Sequence, residues 1–342
     1  MPSAAPPAVS VVIVAYNSGP TLARCLAALK AQTFTDFETL LVDNGEPGAN
    51  DGAPARAAHA DPAIKLISAH GNLGFADGNN LAASEAKGRW LVLLNPDAYA
   101  APDWLERRVD AAACYPACRA FTSRQLMDQT PERLDGLGDV MFAAGIPYRG
   151  GYGQADPGDT PEGEVFSPCG AAMMIDRALF LSMGGFDESF FCYCEDVDLG
   201  FRLQLAGEPV LIIPSAVVRH HGSASSGGPA SGFAVSHGTR NRLWMLIKDL
   251  PTPLLVPVLL AHVAAVSLQC ALARSDPAAA MTMRALIKGC QTASTPWRSR
   301  RSVQAARKAS VLDILRAMTW NPCDVLGMKP VIRPIRSRVK AR

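Results

Sequence analysis

Residues Val9–Ala15 read VSVVIVA, seven uncharged residues dominated by β-branched side chains. A run this short and continuous has the pattern of a strand buried on both faces, as in a parallel sheet. Leu22, Leu26 and Leu29 follow at helical spacing, and the alternation then repeats. Further strand patterns fall at 37–42 (FETLLV), near 64–67 and at Trp90–Leu94, with helix-like sequence at 78–87. Strands alternating with helices imply right-handed βαβ units and a doubly wound, mainly parallel sheet of the α/β class. Ligands of such sheets sit beyond the carboxyl ends of the strands. Asn17, Asp43, Asn72 and Asn95 each fall just after a predicted strand, which makes them the first site candidates.

Past the fourth strand the pattern weakens. Segment 136–163 is rich in Gly, Pro and Asp and predicts a long, mobile loop. Order returns at 165–175, followed by a helix near 177–183, a helix over 195–205 and a strand at 209–213. A Ser/Gly loop is predicted at 223–232, and no internal repeat is present. With 342 residues, 49% of them hydrophobic, the chain can bury one large α/β domain plus an appendage, or two modest domains. That apolar content excludes a disordered protein.

Charge is unevenly placed. Segment 284–342 carries fourteen Lys or Arg against two acidic residues, an excess of twelve, while the whole chain is only +2. The body is therefore acidic and the tail basic. The tail is either a solvated segment or a contact for a polyanion, anionic lipid or nucleic acid. No aromatic-interleaved motif supports nucleic acid. Residues 254–272 contain no Asp, Glu, Lys or Arg. The stretch is just long enough to span a bilayer, but Pro257, His262 and Gln269 favour a buried or interfacial helix. The nine cysteines form no metal-ligand spacing, and the N-terminal MPSAAPPA lacks a signal-peptide pattern. Both point to reduced thiols in a cytoplasmic protein, peripheral on the inner face of the membrane if the tail binds lipid.

Five motifs stand in a fixed order: AYNS, VDNG, GNLGFADGNN, LNPDAY, and FFCYCEDVDLGFRLQLAG with a later RHHGSAS. Each alone is weak, since Asn, Asp, Gly and Pro are ordinary turn formers. Together they closely resemble the family-2 glycosyltransferases of the GT-A fold, more narrowly the bacterial rhamnosyltransferase-like branch. The resemblance runs from about Val9 to Trp244. It implies a GT-A domain over 1–244 and a helical, basic extension over 245–342.

The resemblance also implies roles. Ala15, Asn17 and Asp43 would hold the uracil or thymine ring of a UDP- or dTDP-sugar donor, and a GDP-sugar also remains open as the donor. In GNLGFADGNN, Asn72, Gly74 and Asn80 would lie toward the diphosphate, where Gly74 lets backbone approach a ligand closely. Asp77 stands where the family pattern often has Gly, and a carboxylate there would repel phosphate. Asp97 of LNPDAY would ligate Mg²⁺ or Mn²⁺, with Asn95 as a weaker ligand or an orienting group. His220, with His221 close behind, is the candidate third ligand. Asp196 would be the base of an inverting transfer, with Glu195 and Asp198 as supports or acceptor contacts. Arg240 either clamps the diphosphate or begins the basic, membrane-facing side.

The expected activity is single-sugar transfer, best matched to L-rhamnose from dTDP-rhamnose, onto a glycan or lipid-linked glycan hydroxyl. A catalytically silent sugar-binding module is the alternative. A processive synthase is disfavoured, because neither multiple spans nor a QxxRW signature is present.

Overall fold

The computed structural model describes residues 5–46, 52–222, 227–228, 231–337 and 339. The chain up to Leu94 alternates as the periodicity predicts: β1 (Val9–Ala15), α1 (Gly19–Lys30), β2 (Phe37–Asp43), α2 (Ala53–Ala60), β3 (Ile64–Ser68), α3 (Gly74–Glu85) and β4 (Trp90–Leu94). These strands pair in parallel in the order β3-β2-β1-β4. Side chains alternate across a strand. Val9, Val11 and Ile13 therefore pack with Leu22, Cys25 and Leu29 of α1. Val12 and Val14 pack with Ala76, Ala82 and Ala83 of α3 on the other face. Both faces are covered, which is why the strands read as unbroken apolar runs.

The remaining elements are β5 (Ala98–Ala100), α4 (Trp104–Cys114), β6 (Ala120–Met127), β7 (Leu134–Gly136), β8 (Asp139–Phe142), β9 (Ile146–Arg149), β10 (Gly163–Val165), β11 (Ala172–Asp176), α5 (Arg177–Ser182), α6 (Glu195–Ala206) and β12 (Val210–His220). A sequence of helices follows: α7 (Gly232–Asp249), α8 (Thr252–Leu272), α9 (Pro277–Gln291), α10 (Ser294–Ala305), α11 (Val311–Ala317) and α12 (Pro322–Leu326). The sheet becomes mixed beyond β4, because β11 enters antiparallel between β4 and β6. β12 then runs parallel to β6.

Several expectations need correcting. Segment 136–163 is not one loop. It contains the hairpin β8–β9, with Asp139 opposite Arg149, and a tight turn where Gly145 adopts a φ of 70°. α3 starts at Gly74 rather than 78. β12 runs to His220, beyond 213, because its ladder is interrupted by an irregularity between Ile213 and Val217, around Pro214, and then resumes. The Ser/Gly loop at 223–232 lies partly outside the described residues. The boundary expected at 244 falls inside α7, which continues unbroken to Asp249.

The extension is tied to the core. Phe190, Val197 and Phe201 share a cluster with Trp244, Met245 and Leu250 of α7 and with Ile314 and Met318. Residues 318–336 return as a strap. Thr319 N–H donates to the Met141 carbonyl and its own carbonyl accepts from Ala143 N–H, both at 2.9 Å, Tyr148 Oη donates to the Lys329 carbonyl at 3.0 Å, and Arg333 and Glu164 exchange bonds at 2.8 and 2.9 Å. Part of the tail's charge is engaged internally. Arg300 is buried and donates to the Ile247 and Leu250 carbonyls, and Arg336 pairs with Glu164. α8 buries one stripe, including Leu255, Val258, His262 and Val266, and exposes Val256, Leu260, Leu268 and Leu272. Among the described residues it is the one helix long and apolar enough to cross a membrane.

Candidate functional site

At the carboxyl ends of the strands lies a cleft of about 770 Å³. Of the residues singled out from sequence, it brings together Asn72, Gly74, Asn95, Asp97, Glu195, Asp196 and His220. On the side near β1 and β2, Asn44 links two strand ends. Its Oδ1 accepts from Leu73 N–H at 2.9 Å and its Nδ2 donates to the Gly74 carbonyl at 3.0 Å. Asn72 Oδ1 accepts from Gly74 N–H at 2.9 Å. Gly74 has a φ of 79°, and a Cβ there would meet the Phe191 carbonyl, so only glycine fits. Ala15 and Asp43 are register partners at the strand ends, with exposed Asn17 beyond them. The cleft wall itself is made by their neighbours Tyr16 and Asn44.

The opposite strand end holds a buried polar chain. β5 pairs antiparallel with β12, placing His220 across from Ala98 and therefore beside Asp97. His220 Nε2 lies 3.3 Å from Asp97 Oδ1, while its Nδ1 lies 2.8 Å from Asp135 Oδ2. Arg149 Nη1 in turn donates to Asp135 Oδ2 at 2.6 Å. Burial opposes charge on His220, but Asp135 and then Asp97 outweigh it and raise its pKa to about 9. Burial likewise works against the Asp135 carboxylate, and Arg149 and His220 overcome it and hold its pKa below the ordinary value. His221 alternates away to the far side, toward Asp128.

This donor set fits a divalent ion that displaces the Nε2 proton of His220. His220 Nε2 is buried without an acceptor in hydrogen-bonding geometry, and it points to a carboxylate. A carboxylate on the far ring nitrogen is the usual way a ligating histidine is oriented.

Across the cleft, α6 begins at Glu195. Asp196 accepts from Gly170 N–H at 2.9 Å and Val197 N–H at 2.8 Å, which fixes the carboxylate's direction. Burial, and next the Asp196 charge, push the Glu195 carboxyl well above its usual range. Asp139 is buried nearby and is raised for the same reasons, with Arg149 opposing. Carboxylate oxygens of Asp139 and Asp196 and the Cys169 sulfur lie within 4.8 Å of one another. Burial pushes the Cys169 thiol to about 12, so that corner offers two carboxyl groups and a neutral thiol.

The segment before α6 is strained. Phe191, Tyr193 and Cys194 have φ of 64°, 72° and 67°, each costing about 1 kcal/mol or more for a non-glycine residue. Buried Asn241 holds it, donating to the carbonyls of Phe190, Cys192 and Tyr193 at 3.0, 2.9 and 2.7 Å.

Besides Ala15, Asn17 and Asp43, three further candidates do not line the cleft. Asp198 is fully buried on the opposite side of α6, as a spacing of two dictates. It pairs with Arg202 at 2.9 Å and Lys248 at 2.5 Å. Asn80 is clasped to the backbone of Phe186 by two bonds of 2.9 Å. Arg240 lies over the Trp244 ring and donates to the Phe190 carbonyl, and Arg242 lines the cleft instead. Asp77 is turned toward Glu188, outside the cleft, so the feared repulsion does not arise. Sequence reasoning missed Asn44, Asp135, Asp139, Arg149, Asn241 and Arg242. Asn44 lies within VDNG and Asn241 directly follows Arg240, whereas Asp135, Asp139 and Arg149 carried no local signal.

Comparison with known proteins agrees with this geometry. The model of glycosyl transferase family 2 matches residues 10–180. An N-acetylglucosaminyl-diphospho-decaprenol L-rhamnosyltransferase of Mycobacterium tuberculosis is 33% identical over 257 residues, covering 66% of this chain and 80% of that protein. The O-antigen biosynthesis protein RfbC of Myxococcus xanthus is 31% identical over 230 residues, covering 63% of this chain and 17% of that protein. Two solved structures share the fold. The mannosyltransferase PcManGT from Pyrobaculum calidifontis, in complex with GDP-Man and Mn²⁺, has a TM-score of 0.53 at 19% identity, over 92% of this chain and 88% of that one. GalNAc-T7 with UDP, GalNAc and Mn²⁺ has a TM-score of 0.58 at 16% identity, over 73% of this chain and only 49% of that one. Fold and family together define a glycosyltransferase of the GT-A type. The chain belongs to glycosyltransferase family 2, in its rhamnosyltransferase-like branch.

Proposed function

We propose that this enzyme moves a single sugar, L-rhamnose from dTDP-rhamnose, with inversion onto a hydroxyl of a lipid-linked diphospho-sugar acceptor in polysaccharide synthesis. The carrying observation is that Asp196, aimed by two backbone amides, faces the same cleft as the Asp97–His220 pair. Its 33% identical relative, a rhamnosyltransferase acting on N-acetylglucosaminyl-diphospho-decaprenol, supports the substrate class.

Tyr16, Asn44 and Asn72, with Ala15, Asn17 and Asp43 behind them, bound the nucleotide end. Asp97 and His220 would hold Mg²⁺ or Mn²⁺. When bound, that ion neutralises charge on the leaving diphosphate. Asp196 takes the proton of the acceptor hydroxyl as that oxygen attacks the anomeric carbon and the bond to the diphosphate breaks. Glu195, whose carboxyl burial and the Asp196 charge push well above its usual range, is less suited to that role. The test is mass-spectrometric screening of nucleotide sugars with a GlcNAc-diphospho-lipid acceptor, followed by NMR of the product anomer. Transfer from dTDP-rhamnose with inversion is expected. Retained configuration refutes the mechanism, and undiminished turnover in excess chelator or in Asp97→Ala refutes the metal.

The same reading places the enzyme peripherally on the inner face of the cytoplasmic membrane. The uncharged outer face of α8 adjoins a segment whose Arg284, Lys288, Arg298 and Arg301 are exposed, a pairing suited to anionic lipid. Flotation with anionic liposomes should succeed at low salt and weaken at high salt. Equal partitioning onto neutral vesicles would remove the contribution of charge.

A further inference from the structure

α7 turns one stripe of its surface into the cleft: Val235, Gly238, Thr239 and Arg242. These stand three, four and seven residues apart, the spacing of one helix face. Arg242 is the stripe's one charge. Its Nη2 lies 3.3 Å from Thr239 Oγ1. Burial lowers its pKa, and the groups that act on it electrostatically are the Cys194 and Cys270 thiols rather than a carboxylate. Burial raises the pKa of Cys194. Burial, followed by the Arg242 charge, lowers His262 to about 4, so it is neutral. Among the described residues no carboxylate forms an ion pair with Arg242, an unfavourable arrangement for a half-buried cation unless an anion enters.

The space beside it suits a ligand that is anionic at one end and apolar at the other. A Cβ built on Gly238 meets nothing within 4 Å, so the groove over that residue is open. Its rim is aromatic. Phe233 lies 6.2 Å from Phe191 and 6.0 Å from Tyr193, ring centre to ring centre, and is 39% exposed. Cys194, two residues before Asp196, meets this same face of α7, its Sγ lying 3.8 Å from the carbonyl of Gly238, one turn before Arg242. Arg242 thus belongs to the side of the base, where the acceptor enters, and not to the side of the metal pair. Single displacement requires those two sides to be opposite.

We propose that this corner is the acceptor's phosphate subsite: Arg242 and Thr239 bind the diphosphate joining the acceptor sugar to its lipid. The groove over Gly238 carries the first lipid segment past Phe191, Tyr193 and Phe233. The proposal rests on the lipid-linked acceptor reading and adds the residues that recognise it. Diphosphate also occurs in the donor, so the experiment separates the two sources.

The full-length protein and Arg242→Gln are compared in three measurements. Farnesyl diphosphate should bind the wild type at least about tenfold more tightly than farnesol, as expected for charge-assisted bonds, and Arg242→Gln should abolish that preference. Donor dissociation constants, by calorimetry with dTDP-rhamnose, should agree within about twofold, because the donor diphosphate is bound elsewhere. kcat/KM for a GlcNAc-diphospho-lipid should fall by about tenfold or more, while that for a GlcNAc alkyl glycoside should not. Gly238→Leu fills the groove on a helix with open space and should reproduce the acceptor-specific loss even if Arg242→Gln folds poorly. Weakened donor binding in Arg242→Gln would assign the residue to the donor and overturn the proposal. A wild type without diphosphate preference, or a preference surviving in Arg242→Gln, would overturn it as well. Absence of turnover on any lipid-linked acceptor would instead refute the parent reading, since the farnesyl binding test needs no turnover.

Discussion

The two walls of the cleft are built in different ways. The wall from β1 to β4 consists of successive βαβ units whose contacts are close in sequence, and its site residues sit at strand ends. The other wall gathers Asp135, Asp139 and Arg149 from the β7–β9 region, His220 from β12, and Asn241 and Arg242 from α7. The first wall is held by periodic apolar packing. The second is held by hydrogen bonds between distant segments, such as Asn241 on three carbonyls and Arg149 on Asp135. The contrast teaches that the parts closest to chemistry can be positioned by residues with no pattern of their own.

Substitutions test whether the division is one of chemistry or of support. The largest effect is expected at Asp196, which the sequence motif exposes. Asp196→Asn should lower kcat by about 10²–10⁴ and leave donor affinity nearly intact, the mark of a lost base. Calorimetry of donor binding beside steady-state rates decides it, and a near wild-type kcat would reject the role. A smaller effect is expected at Asp135, which no motif marks. Asp135→Ala removes the carboxylate from His220 Nδ1 and should weaken Mn²⁺ binding by about 10–100-fold, a typical loss for a residue orienting a ligand. Calorimetric titration with Mn²⁺ measures this directly. A loss of kcat as deep as that of Asp196→Asn, with unchanged Mn²⁺ affinity, would mean that the second wall performs chemistry and the contrast fails.

The smallest effect concerns stability. His262 is buried in α8 with a pKa lowered to about 4 from 6.5. The folded state therefore keeps it neutral while the unfolded chain takes a proton below pH 6.5. Its contribution is fully present above that pH and is lost as pH falls toward 4, by about 3 kcal/mol at most. Denaturant melts of the wild type and His262→Gln at pH 7 and 4.5 should show the wild type losing more. Parallel losses would remove His262 as the cause.

The same contrast explains what was legible. VSVVIVA, FETLLV and WLVLL report their burial directly, so β1, β2 and β4 were readable together with the parallel order they imply. Asp97, Asp196 and His220 were readable because motifs place them. The β8–β9 hairpin was not, because its four-residue strands gain order from the strap at 318–336 and one side faces an open cleft. Asp198 stands in the same acidic run as Asp196, but a spacing of two on a helix turns it away from the cleft and toward Lys248. Arg240 and Arg242 are both basic residues in the middle of α7, and only the packing of that helix decides which of them faces the cleft.

The strap also has a consequence for synthesis. Residues 319–333 hydrogen-bond to residues 141–164, so a ribosome must add more than a hundred further residues before the hairpin acquires its lasting contacts. The parallel half can close on itself while translation continues. The wall carrying Asp135 and Arg149 must wait, and a nascent chain halted before Thr319 would have the nucleotide end of the cleft in place and its opposite wall unfastened.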